Sequence, residues 1–307
     1  MNSILHNSAA MSALQSLNMT QQALSTVQNQ VSSGLAVANA SDNAAYWSIA
    51  TQLNANSTMV TASNSALTQS QAVLDTANTA IKSIITTINS IQTALTEATN
   101  PGAALNNINT TLAALGQQLT DAVTGASFNG INVVDGSSIA GSSTSISFVS
   151  GYNAATANVT AVGMSMTSIY TADPTAGNAG TGILGVAVGT TTLAGTYDLT
   201  QLGASTAGGT AVTASNAQDI LTAVNAALNS VTNYAASIGA TQDRMSSMSN
   251  LNMALTNNYA KGVSGLVDAD MNTASTRLQA LQTQQQLGIQ SLSIANQNAQ
   301  LIMKLFG

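Results

Sequence analysis

The stretch Leu67-Thr-Gln-Ser-Gln-Ala-Val-Leu74-Asp-Thr-Ala-Asn-Thr-Ala-Ile81-Lys-Ser-Ile-Ile-Thr-Thr-Ile88-Asn-Ser-Ile-Gln-Thr-Ala-Leu95 sets an apolar residue at every seventh position. The same step reaches back through Val60 to Leu53, and no glycine or proline interrupts Asp42 to Thr99. An α-helix returns to nearly the same face every seven residues, so this pattern is the seam of a coiled coil. One helix over this span would be roughly 85 Å long at about 1.5 Å per residue. A helix of that length needs partners along its course. The matching pattern lies toward the other end of the chain, at Val224, Val231, Ile238 and Met245, and Tyr259 and Leu266 continue it.

Working outward, the N-terminal stretch to Val31 reads as an amphipathic helix, with Leu17, Leu24 and Val31 seven apart and Leu14 on the neighbouring turn. Gly34 is its expected stop, and Ser41 or Asp42 the expected cap of the long helix. Asn100-Pro101-Gly102 breaks that helix. A shorter helix follows over about Ala103 to Val123, carrying Ile108, Leu112, Leu115 and Leu119. Helical periodicity returns from about Asn216 to Gly262, and a last helix is expected over Asp270 to Leu305. Its heptad positions include Leu278, Leu281, Leu292, Ile302 and Phe306, with a second apolar edge through Leu287, Ile289, Ile294, Leu301 and Leu305. A helix with two apolar edges suits a position among several neighbours.

The middle is different. Ser127 to Ser215 holds 14 of the 23 glycines, and short β-favouring runs occur at 146–149, 158–162, 185–188 and 196–199. These predict short strands in a small insertion. The expected fold is mainly α: long antiparallel coiled-coil helices from both chain ends, with a β-rich insertion between them.

Composition narrows the function. Of 307 residues, 45% are hydrophobic, 3% aromatic and 5% charged, with a net charge of −6. A soluble domain carries about 25% charged residues, so much of this polar but uncharged surface is expected to be covered. Terminal helices with apolar faces and almost no charge point to self-association. The candidate contact residues are Leu14, Leu17, Leu24, Val31, Leu278, Leu281, Leu292, Ile302 and Phe306. The long-helix seam is Leu53, Val60, Leu67, Leu74, Ile81, Ile88 and Leu95 with Val224, Val231, Ile238 and Met245. Five scattered basic residues do not make a phosphate-binding groove, which argues against nucleic acid as a partner. No apolar run approaches the roughly 20 residues of a spanning helix, and the acidic balance speaks against a membrane surface. Cysteine is absent, and no Lys or Arg precedes Lys82, so a chain that leaves the cell is expected to do so without a cleaved secretory signal peptide.

Isolated chemical motifs carry little. Gly180-Thr-Gly-Ile-Leu-Gly185 has G-x-G-x-x-G spacing but is followed by a strand-like run, so it reads as a glycine-rich loop. His6 is the sole histidine and reads as a packed or solvated polar residue. Asp268 and Asp270 lack the further oxygen ligands of a calcium site and read as N-terminal charge on the last helix. Tyr46-Trp47 reads either as packing at the start of the long helix or as a partner contact. The Ser and Thr residues of 137–215 read as turn and strand residues or as O-glycan acceptors. No cofactor, metal or catalytic set is expected, and no enzyme activity.

Several ordered motifs resemble bacterial flagellin. Val31-Ser-Ser-Gly-Leu-Ala-Val-Ala-Asn-Ala-Ser-Asp-Asn-Ala-Ala45 resembles its N-terminal signature, and Tyr46-Trp47-Ser-Ile-Ala50 continues it in an alphaproteobacterial form. Phe128-Asn-Gly130, Ile238-Gly-Ala-Thr-Gln-Asp-Arg244, Asp268-Ala-Asp270 and Ala295-Asn296 follow in the family's order, with Asp243 where the family has Asn. The resemblance covers about 1–135 and 216–307. It implies a subunit that polymerises into the extracellular flagellar filament for motility, with three parts. Residues 1–34 and 269–307 would form a terminal coiled-coil domain in an inner tube. Residues 35–139 and 206–268 would form a long-helix domain with a β-hairpin in an outer tube, and 140–205 a variable outer insertion. It implies as partners other copies of the chain, the flagellar export apparatus, an export chaperone, and cap and hook-junction proteins. A hook–filament junction protein is the alternative within that class; a coiled-coil adhesin and an enzyme carried on the insertion are alternatives outside it. One stretch departs from the family's pattern: Ala80 to Glu97 has no arginine, where many flagellins carry those that an animal innate-immune receptor recognises.

Overall fold

The structure, a computed structural model, describes residues 7–135, 145–166, 169, 183–190, 193–203 and 211–306; side-chain surroundings are described for these except in 185–190, 193–198 and 298–306. Among the described residues five helices carry the fold: α1 (Ser8–Ser33), α2 (Ala44–Ala98), α3 (Leu105–Thr124), α4 (Ala217–Val267) and α5 (Met271–Phe306). Among the described residues three antiparallel two-stranded ladders lie between α3 and α4. They are β1 (Ser127–Phe128) with β2 (Ile131–Asn132), β3 (Ser145–Asn153) with β4 (Asn158–Ser165), and β5 (Gly185–Thr190) with β6 (Leu193–Asp198). This is the mainly α architecture with a small β-rich middle that the periodicities predict.

Local chemistry sets the boundaries. Gly34 ends α1 in the left-handed region at φ 75°, its N–H donating to the Gln30 carbonyl at 2.9 Å; a residue without Cβ adopts that conformation at no steric cost. The cap of α2 falls later than the sequence suggests. Asn43 Oδ1 accepts from the Ala45 and Tyr46 N–H groups, while Asp42 Oδ2 turns back to accept from Ala38 and Asn39 at 3.0 Å each. Asp42 therefore ties the connector and Asn43 starts the helix. α4 runs past Gly262 to Val267. Gly262 is a packing glycine, since a Cβ there would stand 3.3 Å from Leu53 Cδ1.

The chain divides into two compact units, Met1–Thr58 with Thr256–Gly307, and Met59–Leu255. In the second, the α2 seam residues Val60, Leu67, Leu74, Ile81, Ile88 and Leu95 are all fully buried, as is the companion stripe Ala77, Ile84, Ile91 and Ala98. Val224, Val231, Ile238 and Met245 of α4 are equally buried. The two helices run antiparallel: Gln92 Nε2 donates to Asn225 Oδ1 at 2.9 Å, Gln242 Nε2 to Asp75 Oδ1 at 2.7 Å, and Ser249 Oγ to Asn64 Oδ1 at 2.9 Å. Ile108, Leu112, Leu119 and Val123 of α3 complete this core.

The β-rich middle is anchored to the same core. Phe148, Met164, Met166, Ile169, Leu184, Leu199 and Leu202 belong to the cluster formed by the helices. Between the hairpins a column of single residues returns to the core. Ile169 N–H donates to Val134 O at 2.9 Å, Leu184 N–H to Ile169 O at 2.8 Å, and Leu199 N–H to Leu184 O at 3.0 Å. Leu199, expected in a strand, is a rung of this column. Side chains on the helices complete the anchoring. Asn109 on α3 pairs with both backbone groups of Val212, accepting its N–H at 2.8 Å and donating to its carbonyl at 3.1 Å. A Cβ on Gly116 would stand 2.3 Å from Thr200 O, so the chain crosses α3 where only glycine leaves room. Asn252 on α4 is 2% exposed and donates to Ser150 O, the carbonyl left free at the β3 bulge, at 2.9 Å.

Candidate assembly surfaces

The unit holding both chain ends is built on the pair α1 and α5. On α1 the residues Ala13, Leu17, Thr20, Leu24, Val27 and Val31 are buried or half-buried at alternating steps of four and three. On α5 the same steps join Ala274, Leu278, Leu281, Gln285, Gly288, Leu292 and Ala295. The helices are antiparallel, with Asn7 Nδ2 donating to Ala295 O at 3.0 Å and Gln285 Nε2 to Gln21 Oε1 at 2.6 Å. A Cβ on Gly288 would come within 3.3 Å of Leu17 Cδ1, so glycine brings the two backbones close.

Below this pair the two connectors zip together. Ala36 N–H donates to Val267 O at 2.7 Å, Ala269 N–H to Gly34 O at 2.9 Å, and Leu35 bridges Asp268. Val37, Ala50 and Val267 form a small core beneath them. Asp270 caps α5: its carboxylate accepts from the Asn272 N–H at 3.0 Å and the Thr273 hydroxyl at 2.8 Å. The Thr273 hydroxyl, then the Thr273 and Asn272 backbone N–H groups, hold its carboxyl below the usual carboxylate range. Asp268 and Asp270 thus close a connector and a helix end. No group of three or more metal-ligating side chains occurs among the described residues.

The expected contact residues fall in two places. Leu17, Leu24, Val31, Leu278, Leu281 and Leu292 lie on the stripes that α1 and α5 present to each other, whereas Leu14 is 52% exposed. Ile302 and Phe306 lie in α5, but their side chains are outside the described residues, as is the whole of His6. Gly180 to Gly182 also lie outside them, and Gly185 opens β5. Of the long-helix seam, Leu53 alone is half-buried.

Both terminal helices keep further apolar residues uncovered. Met11, Leu14 and Met19 are exposed on α1, and Leu287, Ile289 and Ile294 on α5; Leu287 and Ile294 are seven apart on the side opposite the shared stripe. Tyr46, Trp47 and Ile49 in the first turns of α2 are also exposed. The sequence leaves packing and partner contact both open for Tyr46 and Trp47; at 47% and 40% exposed they are only partly covered. Methionines 11 and 19 escape a search for leucine heptads because they fall off the seven-residue step.

Two paired helices of this kind, each with one apolar stripe facing the other and further apolar side chains exposed, define a subunit built to associate. The chain matches the bacterial flagellin N-terminal helical region over residues 4–139 and the bacterial flagellin C-terminal helical region over residues 221–306. It belongs to the bacterial flagellin family, whose members are the structural subunits of the extracellular flagellar filament. Among its relatives, it is 38% identical to Flagellin C of Rhizobium meliloti (strain 1021), with 100% of this chain and 99% of the relative covered. It is 36% identical to a flagellin of Brucella melitensis and 30% identical to Flagellin FljK of Caulobacter vibrioides, again covering 100% of this chain and 99% of each relative. Family motifs acquire physical roles in this setting. Asp42 and Asn43 of the N-terminal signature close the connector and start α2, Asn129 and Gly130 form the left-handed turn between β1 and β2 at φ 51° and 79°, and Gln242 links α4 to Asp75 of α2.

Proposed function

We propose that residues 1–34 and 269–307 form the inner tube of the filament, and that residues 35–139 and 206–268 form an outer tube bearing the insertion 140–205. The observation that carries this reading is the second apolar edge of both terminal helices. Met11, Leu14 and Met19 on α1, and Leu287, Ile289 and Ile294 on α5, are large apolar side chains exposed in a single copy. α1 has no charged residue over Ser8–Ser33 that would favour keeping this face in water. Removing apolar area from water contributes about 25 cal/mol per Å², so neighbouring copies supply the missing cover. Tyr46 and Trp47 join the same contact region. Export would use the flagellum's own channel, helped by an export chaperone, and growth would involve cap and hook-junction proteins.

The test is removal of residues 282–307. Concentrated truncated protein is expected to form no filaments by negative-stain electron microscopy. The 59–255 unit is expected to keep its helical circular dichroism and cooperative unfolding. Normal filaments from the truncated chain would overturn the assignment of the last helix to the inner tube.

A further inference from the structure

The uncovered face of α1 is built around thioethers. Met11 is 63% exposed and Met19 58% exposed, and with Leu14 they line a shallow groove of about 500 Å³. Each residue turns the helix by about 100°, which sets Met11 and the groove roughly opposite Leu24 and Thr20 on the stripe packed against α5. The two sulfurs are on turns about 12 Å apart along the axis, at 1.5 Å per residue. Ser8, Ser12, Gln15, Asn18 and Gln22 make up the rest of its lining, so no charged side chain borders it. Other methionines lie deep: Met164 and Met245 are 3% and 0% exposed.

Thioethers react with peroxides in proportion to their access to solvent. The sulfide sulfur attacks the peroxide, the O–O bond breaks, one oxygen becomes the sulfoxide oxygen and the other leaves as water. Sulfur loses two electrons and the peroxide gains them. The product is a polar, chiral side chain where an apolar one stood. We infer that Met11 and Met19 form an oxidation-sensitive site on the free subunit, and that sulfoxide there blocks assembly until it is reduced. The first half rests on exposure alone. The second rests on the filament reading above, with a second copy of this chain as the occupant of the groove. A second copy fits this face because it carries no charge and the same chain offers exposed Leu287 and Ile294 as an apolar match.

The experiment treats full-length monomer and preformed filaments with dilute hydrogen peroxide and maps sulfoxide by mass spectrometry. In the monomer, oxidation is expected at Met11 and Met19 while Met164 and Met245 stay reduced. In filaments, Met11 and Met19 are expected to be protected. A buried sulfoxide lacking a partner weakens association strongly, so the critical concentration of oxidised monomer should rise about tenfold or more. Reductase treatment should restore it. Met59, Met253 and Met271 are also exposed, so a Met11→Leu/Met19→Leu variant, which keeps volume and apolarity, separates their effect. Its critical concentration before peroxide serves as its own baseline, and peroxide is expected to leave that baseline unchanged. Oxidised wild type with an unchanged critical concentration, or a variant as sensitive as wild type, would overturn the assembly half. Slow oxidation of Met11 and Met19 relative to Met245 would overturn the site itself. If untreated wild type forms no filaments, the filament reading fails, and the monomer map still decides the site.

Discussion

The α1–α5 pair and the core of the 59–255 unit carry the same seven-residue apolar step but bury it to different depths. Along α2, Leu67, Leu74, Ile81, Ile88 and Leu95 are fully buried, because α3, α4 and the hairpin column cover them from several sides. Along α5, Leu278, Leu281 and Leu292 are only half-buried on the stripe that faces α1. Two helices in contact leave most of each cylinder open; a third and fourth neighbour close it. A heptad therefore says which face of a helix wants company, and the number of neighbours decides whether one chain can provide it. The core unit is complete in a single copy. In the proposed filament the terminal pair is half of an interface.

The largest expected effect tests the complete side of this contrast. Ile81→Ala should destabilise the monomer by about 2–5 kcal/mol in urea unfolding, the usual cost of truncating a fully buried aliphatic side chain. Leu287→Ala, at a residue 59% exposed, should leave monomer stability within about 0.5 kcal/mol. Equal losses at the two positions would mean that the terminal pair is as closed as the core, and the contrast would fall.

A smaller effect tests how the β-rich middle is held. Asn252→Ala removes the donor to the Ser150 carbonyl at the β3 bulge and leaves a buried acceptor unsatisfied. The expected loss is about 1–3 kcal/mol. A neutral result would place the anchoring in the aliphatic column Ile169, Leu184 and Leu199 instead.

The smallest effect concerns the cap of α5. Hydrogen bonds from Thr273 and Asn272 lower the Asp270 pKa in the folded chain. A carboxyl depressed on folding stabilises the fold above its unfolded pKa, about 3.9 for Asp, and the contribution disappears as pH falls through the lower folded value. Fraying at the start of α5, followed by amide exchange, should therefore increase below about pH 4. Asp270→Asn should remove that part of the pH dependence. An unchanged acid response in the variant would assign it to other carboxylates.

Much of this architecture is legible in the sequence because periodicity is a local property. Side chains at Leu67 and Leu74 share a face whatever surrounds them, so the helices, their apolar stripes and the breaks at Gly34 and Asn100-Pro101-Gly102 follow from the order of residues. Caps are local too, yet Ser41, Asp42 and Asn43 all carry oxygen acceptors, and only the backbone path shows that Asp42 bonds backward to Ala38 and Asn39 while Asn43 starts the helix.

The sequence by itself determined which residues form helices, which face of each is apolar, and how little charge opposes association. The tertiary structure decided what covers those faces. Leu24 and Leu278 sit on the stripe shared by α1 and α5, while Leu14 and Leu287, no less apolar, remain open. It also decided that the glycine-rich middle joins the helical core through Ile169, Leu184 and Leu199, whose 15-residue spacing matches neither helix nor strand. Contacts between residues far apart in sequence depend on how many elements meet at one place, and no local pattern encodes that number.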